Sequence, residues 1–279
     1  MREQWITRVL TLAAVVALVS FVAVPSGVAQ EAAPRGGRGA QAAKPMPPIP
    51  RLSDGTPSLG WVDPKDKGVW KTAERHWDLA PVVIDRKEEG IPYQPWAKAL
   101  YDFRVKQESK DDPEGFCLPP GGTSATANRT GGSWEFVQLP EQKRILRIFE
   151  AGAHVWQTIY MDGRPHPPEV YDIPTWLGHS VGHWEGDTLV VDTVGFNEGH
   201  WASPLGGVRT SQHHVIERFT RTNYNTMKYE ATIDDPGAYT RPWKIGYDLA
   251  WTAGGELQEI ICLENNRWTE HHENLGIPE

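Results

Sequence analysis

The sequence has no apolar run long enough to cross a bilayer comfortably. Its longest run, Val9–Val24, is shorter than the ~20 residues that a membrane-spanning helix needs. Arg2 and Arg8 precede this run, and small residues follow it towards Ala29. The pattern is typical of a cleavable signal peptide over residues 1–29. We therefore expect a periplasmic or secreted protein without a stable membrane anchor.

The sequence has fewer basic than acidic residues: 28 Lys and Arg compared with 36 Asp and Glu, which gives a net charge of −8. A nucleic-acid partner is not expected, since phosphate binding needs clustered positive charge. The one basic tract, Arg35–Arg38, lies in a Pro/Ala/Gly-rich stretch and is more simply part of a flexible linker. The chain also lacks a phosphate-cradling motif, and nucleotide cofactors are scarce outside the cytoplasm, so no cofactor is expected.

Cysteine is nearly absent, with only Cys117 and Cys262 in the chain. In an exported protein a lone pair of cysteines is most simply a disulfide. Two buried thiols are the alternative.

Metal-ligand spacings are missing although the chain has ten histidines. Neither His-x-His nor HExxH occurs. His179 and His183 would stack only on a helix, and His213 and His214 point to opposite faces of a strand. We therefore predict no metal site, unless one is assembled across several strands.

The chain lacks the alternation of strands and helices that a parallel sheet requires. A helix is predicted over Pro95–Gln107. Strands are predicted at Trp134–Leu139, Lys143–Phe149, His154–Met161, His183–Glu185, Thr188–Val194, His213–Arg221, Thr226–Ile233, Trp243–Trp251 and Glu256–Leu263. Period-two alternation in several of them indicates an antiparallel sheet with one wet face. The prediction is one all-β domain over residues 61–279, preceded by a poorly ordered linker over residues 30–60. We expect a meander that closes into a calycin-like or lipocalin-like barrel, with a β-sandwich as the alternative.

The segment Gly178–Gly182 fits the G-x-S-x-G pattern of a hydrolase nucleophile elbow, with Ser180 as the nucleophile. That elbow needs a strand before the serine and a helix after it. Here the chain passes through a predicted tight turn at Gly186-Asp187 into a strand, which leaves almost no room for a helix. A serine hydrolase is therefore disfavoured, and the glycines are better explained by a change of backbone direction at a strand entry.

Polar residues within the predicted strands are candidates for acid–base chemistry. Asp192 lies in an otherwise apolar strand, and a buried carboxylate beside a histidine can act as a general base. His179, Asp192 and Glu217 are the residues predicted for this role, against the simpler alternative of a surface or structurally paired Asp192. His214 and Arg218 share one face of the following strand and are candidates for ligand binding.

Thirteen tryptophans are present, and most are expected to pack in the core. Trp176, Trp184 and Trp201 bracket the Gly/His-rich segment and are the first candidates for stacking on a sugar ring or an aromatic ligand.

Seven blocks carry a resemblance to known sequences: Cys117–Gly121, Tyr160–Pro167, Trp176–Thr193, Glu217–Phe219, Thr232–Pro236, Tyr239–Trp243 and Cys262–Asn266. Through these blocks the chain is similar, over about residues 90–268, to a large family of secreted bacterial proteins of unknown function. The resemblance implies export and pairing of the two cysteines, and it carries over no catalytic residue. The Thr/Ser/Ala/Gly-rich stretch Gly122–Gly132 departs from the family's pattern.

The sequence favours a periplasmic barrel that binds a small organic molecule, because barrels of about eight strands can enclose one small ligand. The alternative is a periplasmic enzyme using acid–base chemistry. A serine hydrolase ranks behind it, and a purely structural envelope protein ranks last.

Overall fold

The computed structural model describes residues 47–72, 78–124, 133–150, 155–264, 266–268 and 270. The predicted signal peptide and the first part of the predicted linker lie outside these residues. The predicted helix is confirmed as α1 (Pro95–Lys106), and no helix of the described ranges has the length and apolarity to cross a membrane. The strands are β1 (Gly68–Thr72), β2 (Trp134–Leu139), β3 (Arg144–Phe149), β4 (Trp156–Tyr160), β5 (His179–Glu185), β6 (Thr188–Val194), β7 (His214–Asn223), β8 (Thr226–Asp234) and β9 (Trp243–Ala253).

The strands form a closed barrel, in which each strand pairs with its neighbours along the chain and β1 pairs with β9. The predicted barrel is thus confirmed over the alternative sandwich. One pair departs from the antiparallel pattern: β4 and β5 run parallel, with Ile159 opposite Ser180. Because nine is an odd number, strand direction cannot alternate around the whole closed barrel, and at least one neighbouring pair has to be parallel. The long connection over residues 161–178 makes the parallel pair possible, because parallel neighbours need a crossover of a dozen or more residues.

Large side chains fill the interior of the barrel. Alternation along β8 buries Met227, Tyr229, Ala231 and Ile233, as predicted. Rings from opposite walls meet: Phe136 on β2 and Phe219 on β7 have centroids 5.2 Å apart, although three strands separate β2 from β7 around the barrel. The expected ligand space inside the barrel is therefore occupied by side chains in the described residues, and the sites described below lie outside it.

A buried ion pair also crosses the interior. Arg147 on β3 donates to both carboxylate oxygens of Glu217 on β7, at 3.0 and 3.2 Å. The hydroxyl of Tyr229 donates to the same carboxylate at 2.9 Å. Because the two side chains are only 1% and 2% exposed, each charge depends on the other for compensation.

Three sequence predictions differ from the structure. Residues 256–263 form no strand and are largely exposed, because their apolar residues have no sheet edge left to join once β1 and β9 close the barrel. The strand β1 was not predicted, since its five residues show no alternation long enough to stand out. The end of the predicted linker is ordered, because Leu59 is fully buried and its carbonyl accepts a hydrogen bond from Trp70 Nε1.

The predicted disulfide is present between Cys117 and Cys262, whose Cα atoms lie 5.5 Å apart. Cys117 follows a 3₁₀ turn over Pro113–Phe116, and Cys262 lies in the segment after β9. The bond therefore ties the exposed segment after the barrel to the segment that follows α1.

Candidate functional site

Three predicted residues meet on the outer face of the barrel where β5, β6 and β7 run side by side. In the strand register Asp192 lies opposite Val181 and Ile216, so His179 and His214 are its diagonal neighbours on the outward face. His214 Nε2 contacts Asp192 Oδ1 at 2.8 Å. Asp192 is therefore structurally paired, and it is also part of a larger cluster.

A fourth residue, His166, completes this cluster from the connection between β4 and β5. Its Nδ1 lies 2.8 Å from His179 Nδ1, and its Nε2 lies 3.3 Å from Asp192 Oδ1. The contacts form an unbroken chain in the order His179, His166, Asp192 and His214, which we call the His/Asp chain. Sequence reasoning missed His166 as a site residue, because it lies in a Pro-rich loop whose position no periodicity predicts; its only signal was its place in the block Tyr160–Pro167.

Gly178 explains how the backbone delivers His179 to this place. Its φ is +68°, and a Cβ there would lie 2.6 Å from the carbonyl oxygen of Val194. Only glycine therefore allows the crossover to turn into β5 at this point, which agrees with the prediction of a change of direction at a strand entry.

The electrostatics of the cluster follow from its contacts. Partial burial opposes the charged form of Asp192, but hydrogen bonds and the charges of His214 and His166 hold its pKa below the usual value. The hydrogen bond to Asp192 raises the pKa of His214. Burial, followed by the positive fields of His166 and Arg164, lowers the pKa of His179. At neutral pH the cluster thus combines an ionised carboxylate with an uncharged His179.

The described residues contain no group of three or more His, Cys, Asp or Glu side chains arranged to hold a metal ion. In the His/Asp chain both nitrogens of His166 are already directed at neighbouring side chains. The four side chains of the His/Asp chain are thus joined by contacts at hydrogen-bonding distance.

Two cavities flank the His/Asp chain. The first, of about 400 Å³, is an apolar groove lined by Trp156, Tyr160, Trp176, Leu177 and His179, among others. We call it the Trp156 groove. The ring of Tyr160 packs against that of His179 at 5.2 Å, and Trp156 is 64% exposed.

The second cavity, of about 610 Å³, is more polar and is lined by His166, Asp192 and His214, together with Asp234 and Gln212. His179 lines only the first cavity, and the other three members of the His/Asp chain line only the second. The His/Asp chain therefore connects the apolar Trp156 groove to the more polar second cavity.

Ser180 and Glu217 do not join this site. Ser180 lies within β5, faces inward and is fully buried, with its hydroxyl hydrogen-bonded to Gln157 and Thr193. The strand β5 continues past Ser180 to Glu185 and pairs with β6, so the chain does not turn from a strand into a helix at this serine as a nucleophile elbow does. Glu217 also faces inward, where it pairs with Arg147, and it cannot act together with His179 on the other face of the sheet.

The remaining predicted residues are dispersed. Trp176 lines the Trp156 groove, whereas Trp184 packs against the core and lines a separate pocket near β2 and β3. Trp201 lies under the guanidinium of Arg104, at 4.2 Å. Arg218 is on the outer face but pairs with Glu185 at 2.7 Å. The three tryptophans therefore do not form one binding surface.

Comparisons with protein-family models, with curated proteins and with solved structures find no match to this chain. The resemblance to secreted bacterial proteins stays a prediction, and the function has to be argued from the geometry and chemistry of the site.

Proposed function

We propose that this is an exported β-barrel protein that binds a small ring-shaped organic molecule, sugar-like or aromatic, in the Trp156 groove. One observation carries the proposal. Trp156 is 64% exposed at the rim of an apolar groove that Tyr160 and Trp176 also line.

Stacking is the interaction that this lining offers. Aromatic side chains bind flat ring faces through offset or edge contacts worth about 0.5–1.5 kcal/mol beyond the area that they bury. The groove's volume of about 400 Å³ lies in the range of sites for small molecules, roughly 300–1,000 Å³. His179 supplies a polar group at its wall, and such groups orient a ligand within an otherwise apolar site.

The disulfide supports the extracytoplasmic part of the proposal. Disulfides persist in oxidising compartments and are rare in the cytosol. The bond between Cys117 and Cys262 agrees with the export that residues 1–29 predict.

Tryptophan fluorescence titrations test the proposal, with methyl glucoside for the sugar class and naphthol for the aromatic class. We expect saturable binding of one class by the wild type. Trp156→Ala should weaken that binding by about tenfold, because it removes one stacking face. Trp61→Ala is the matched control, since Trp61 is 43% exposed and does not line the groove. Failure of both probes to bind, or equal weakening in the two variants, would contradict the proposal.

A further inference from the structure

The His/Asp chain begins at the Trp156 groove and ends at the second cavity. Each of its three contacts is within hydrogen-bonding distance, at 2.8, 3.3 and 2.8 Å. We propose that His179 is a catalytic base for a ring compound bound in the Trp156 groove, and that His166, Asp192 and His214 hold the proton that it removes. This inference rests on the proposed function.

The hydrogen-bonding capacity of each group fixes the tautomers. An ionised Asp192 can only accept, so the Nε2–H groups of His166 and His214 both donate to it. A neutral His166 then carries its lone pair on Nδ1 and accepts from Nδ1–H of His179. His179 is left with its lone pair on Nε2, and this nitrogen can accept a proton from a ligand in the Trp156 groove.

The proposed step conserves atoms and charge. His179 Nε2 takes a proton from an acidic C–H or O–H bond of the ligand, and the ligand keeps the electron pair of that bond. At the same time His179 Nδ1–H passes its proton to His166 Nδ1. The positive charge then rests on the imidazolium of His166 beside the carboxylate of Asp192. Returning the proton to a different atom of the ligand completes an isomerisation, so the reaction needs no co-reactant.

The groups around His179 suit a base. Tyr160 packs against its ring, His166 contacts its Nδ1, and the guanidinium of Arg164 lies 4.0 Å over the ring of Tyr160, where it pairs with Asp162. Burial lowers the pKa of His179, and so do the charge of Arg164 and, whenever its ring is protonated, the charge of His166. His179 is therefore unprotonated at neutral pH. The carboxylate of Asp192 lies one residue further along the His/Asp chain, 3.3 Å from His166 Nε2.

His183 provides a matched comparison on the same strand. It also faces outward from β5, but it is exposed, and its hydrogen-bond partner within the described part of the chain is Glu185, at 3.2 Å, as in an ordinary surface pair. It touches neither cavity. His183→Gln is therefore a control variant that removes a histidine from β5 and leaves the His/Asp chain intact.

Nitrobenzisoxazole is a suitable probe, because it is a flat aromatic ring system that reports deprotonation directly. A base removes the proton from its ring carbon, the C–H electron pair completes a nitrile, and the N–O bond breaks to leave a coloured phenolate. We expect the wild type to open this ring at least about 100-fold faster than His179→Gln, which is the usual lower range for a positioned general base. His183→Gln should match the wild type.

The positioning residues are tested by the pH dependence of the rate. The rate should rise with pH as the histidine pair loses its proton and then level off. Asp192→Asn removes a negative charge that contacts the histidine pair and favours its protonated form, so the midpoint of this rise should move to lower pH. A purely structural role for Asp192 would lower the rate at every pH and leave the midpoint unchanged. Asp192→Glu should restore part of the rate.

The two proposals fail in different ways. Quenching of tryptophan fluorescence by the probe measures binding separately from turnover, and circular dichroism checks that each variant is folded. If the wild type does not bind the probe and binds neither ring class, the proposed function fails and the base has no ligand. If the wild type and His179→Gln bind the probe equally well and open it equally slowly, only the catalytic role is refuted. His166→Gln repeats the test without altering β5, and it should retain binding while losing turnover.

Discussion

Replacing Glu217 by glutamine removes one charge from the barrel interior and changes its shape very little. In the native protein the carboxylate receives two hydrogen bonds from Arg147 and one from Tyr229. Arg147 and Glu217 are almost fully buried and belong to strands on opposite sides of the barrel. In Glu217→Gln the guanidinium of Arg147 stays in the interior without its counter-ion.

The expected cost is about 3–5 kcal/mol in the free energy of unfolding, the range for breaking one side of a buried ion pair. Most of that cost is the uncompensated charge, so removing both charges should cost less than removing one. The double variant Arg147→Met with Glu217→Leu replaces the pair by apolar side chains and is expected to be more stable than Glu217→Gln. Tyr229→Phe removes the hydroxyl that donates to the charged carboxylate of Glu217 and should cost about 1.5–3 kcal/mol.

Urea unfolding followed by tryptophan fluorescence measures these differences, because many of the tryptophans are buried in the core. The surface pair between Arg218 and Glu185 provides the control, and Glu185→Gln should leave the midpoint nearly unchanged. The reasoning is refuted if Glu217→Gln costs less than about 1 kcal/mol, or if the double variant is the less stable of the two.

The other predictions concern the disulfide, the buried serine and a buried histidine. The disulfide between Cys117 and Cys262 joins residues 145 positions apart, and the chain-entropy model predicts that its reduction lowers the free energy of unfolding by about 5 kcal/mol. Equal urea midpoints with and without reductant would contradict this prediction. Ser180→Ala should leave turnover of simple esters unchanged, but it should lower the free energy of unfolding by about 1–3 kcal/mol because the side-chain amide of Gln157 loses its buried acceptor. An ester assay and a urea unfolding curve on the same sample separate the two effects. Burial, aided by nearby positive charge, lowers the pKa of His213, so the unfolded chain binds a proton more readily than the folded protein does, and stability should fall as pH drops below about 6.5. His200 and His179 act in the same direction, so His213→Gln should make this pH dependence less steep in melting curves without abolishing it; an unchanged slope would contradict the prediction.

The strands with clear alternation could be predicted from the sequence because their inward residues are apolar at every second position. Tyr229 and Ile233 on β8 are examples, and both are buried. The same rule failed over residues 256–263, where apolar residues occur but no partner strand is left in the closed barrel. Strand propensity is local, whereas strand formation depends on an available edge.

The candidate site was predicted only in part. His179, Asp192 and His214 were predicted as site residues, the last two of them on strands, and the register brings the three together as diagonal neighbours. Glu217 was grouped with them, although its position along β7 turns it inward to Arg147. His166 was missed because a loop residue has no periodic signal, and only the path of the crossover brings it to the cluster.

By itself the sequence determined the β-rich architecture, the helix at Pro95–Lys106 and the pairing of Cys117 with Cys262. The strands and the helix depend on local sequence patterns, and with only two cysteines in the sequence a disulfide within the chain has one possible pairing. Only the tertiary structure decided that large rings fill the barrel interior and that the His/Asp chain lies outside it. The reason is geometric: closing nine strands brings opposite walls into contact, and the one parallel pair that closure requires directs a long crossover, carrying His166, over the outer face of β5 and β6.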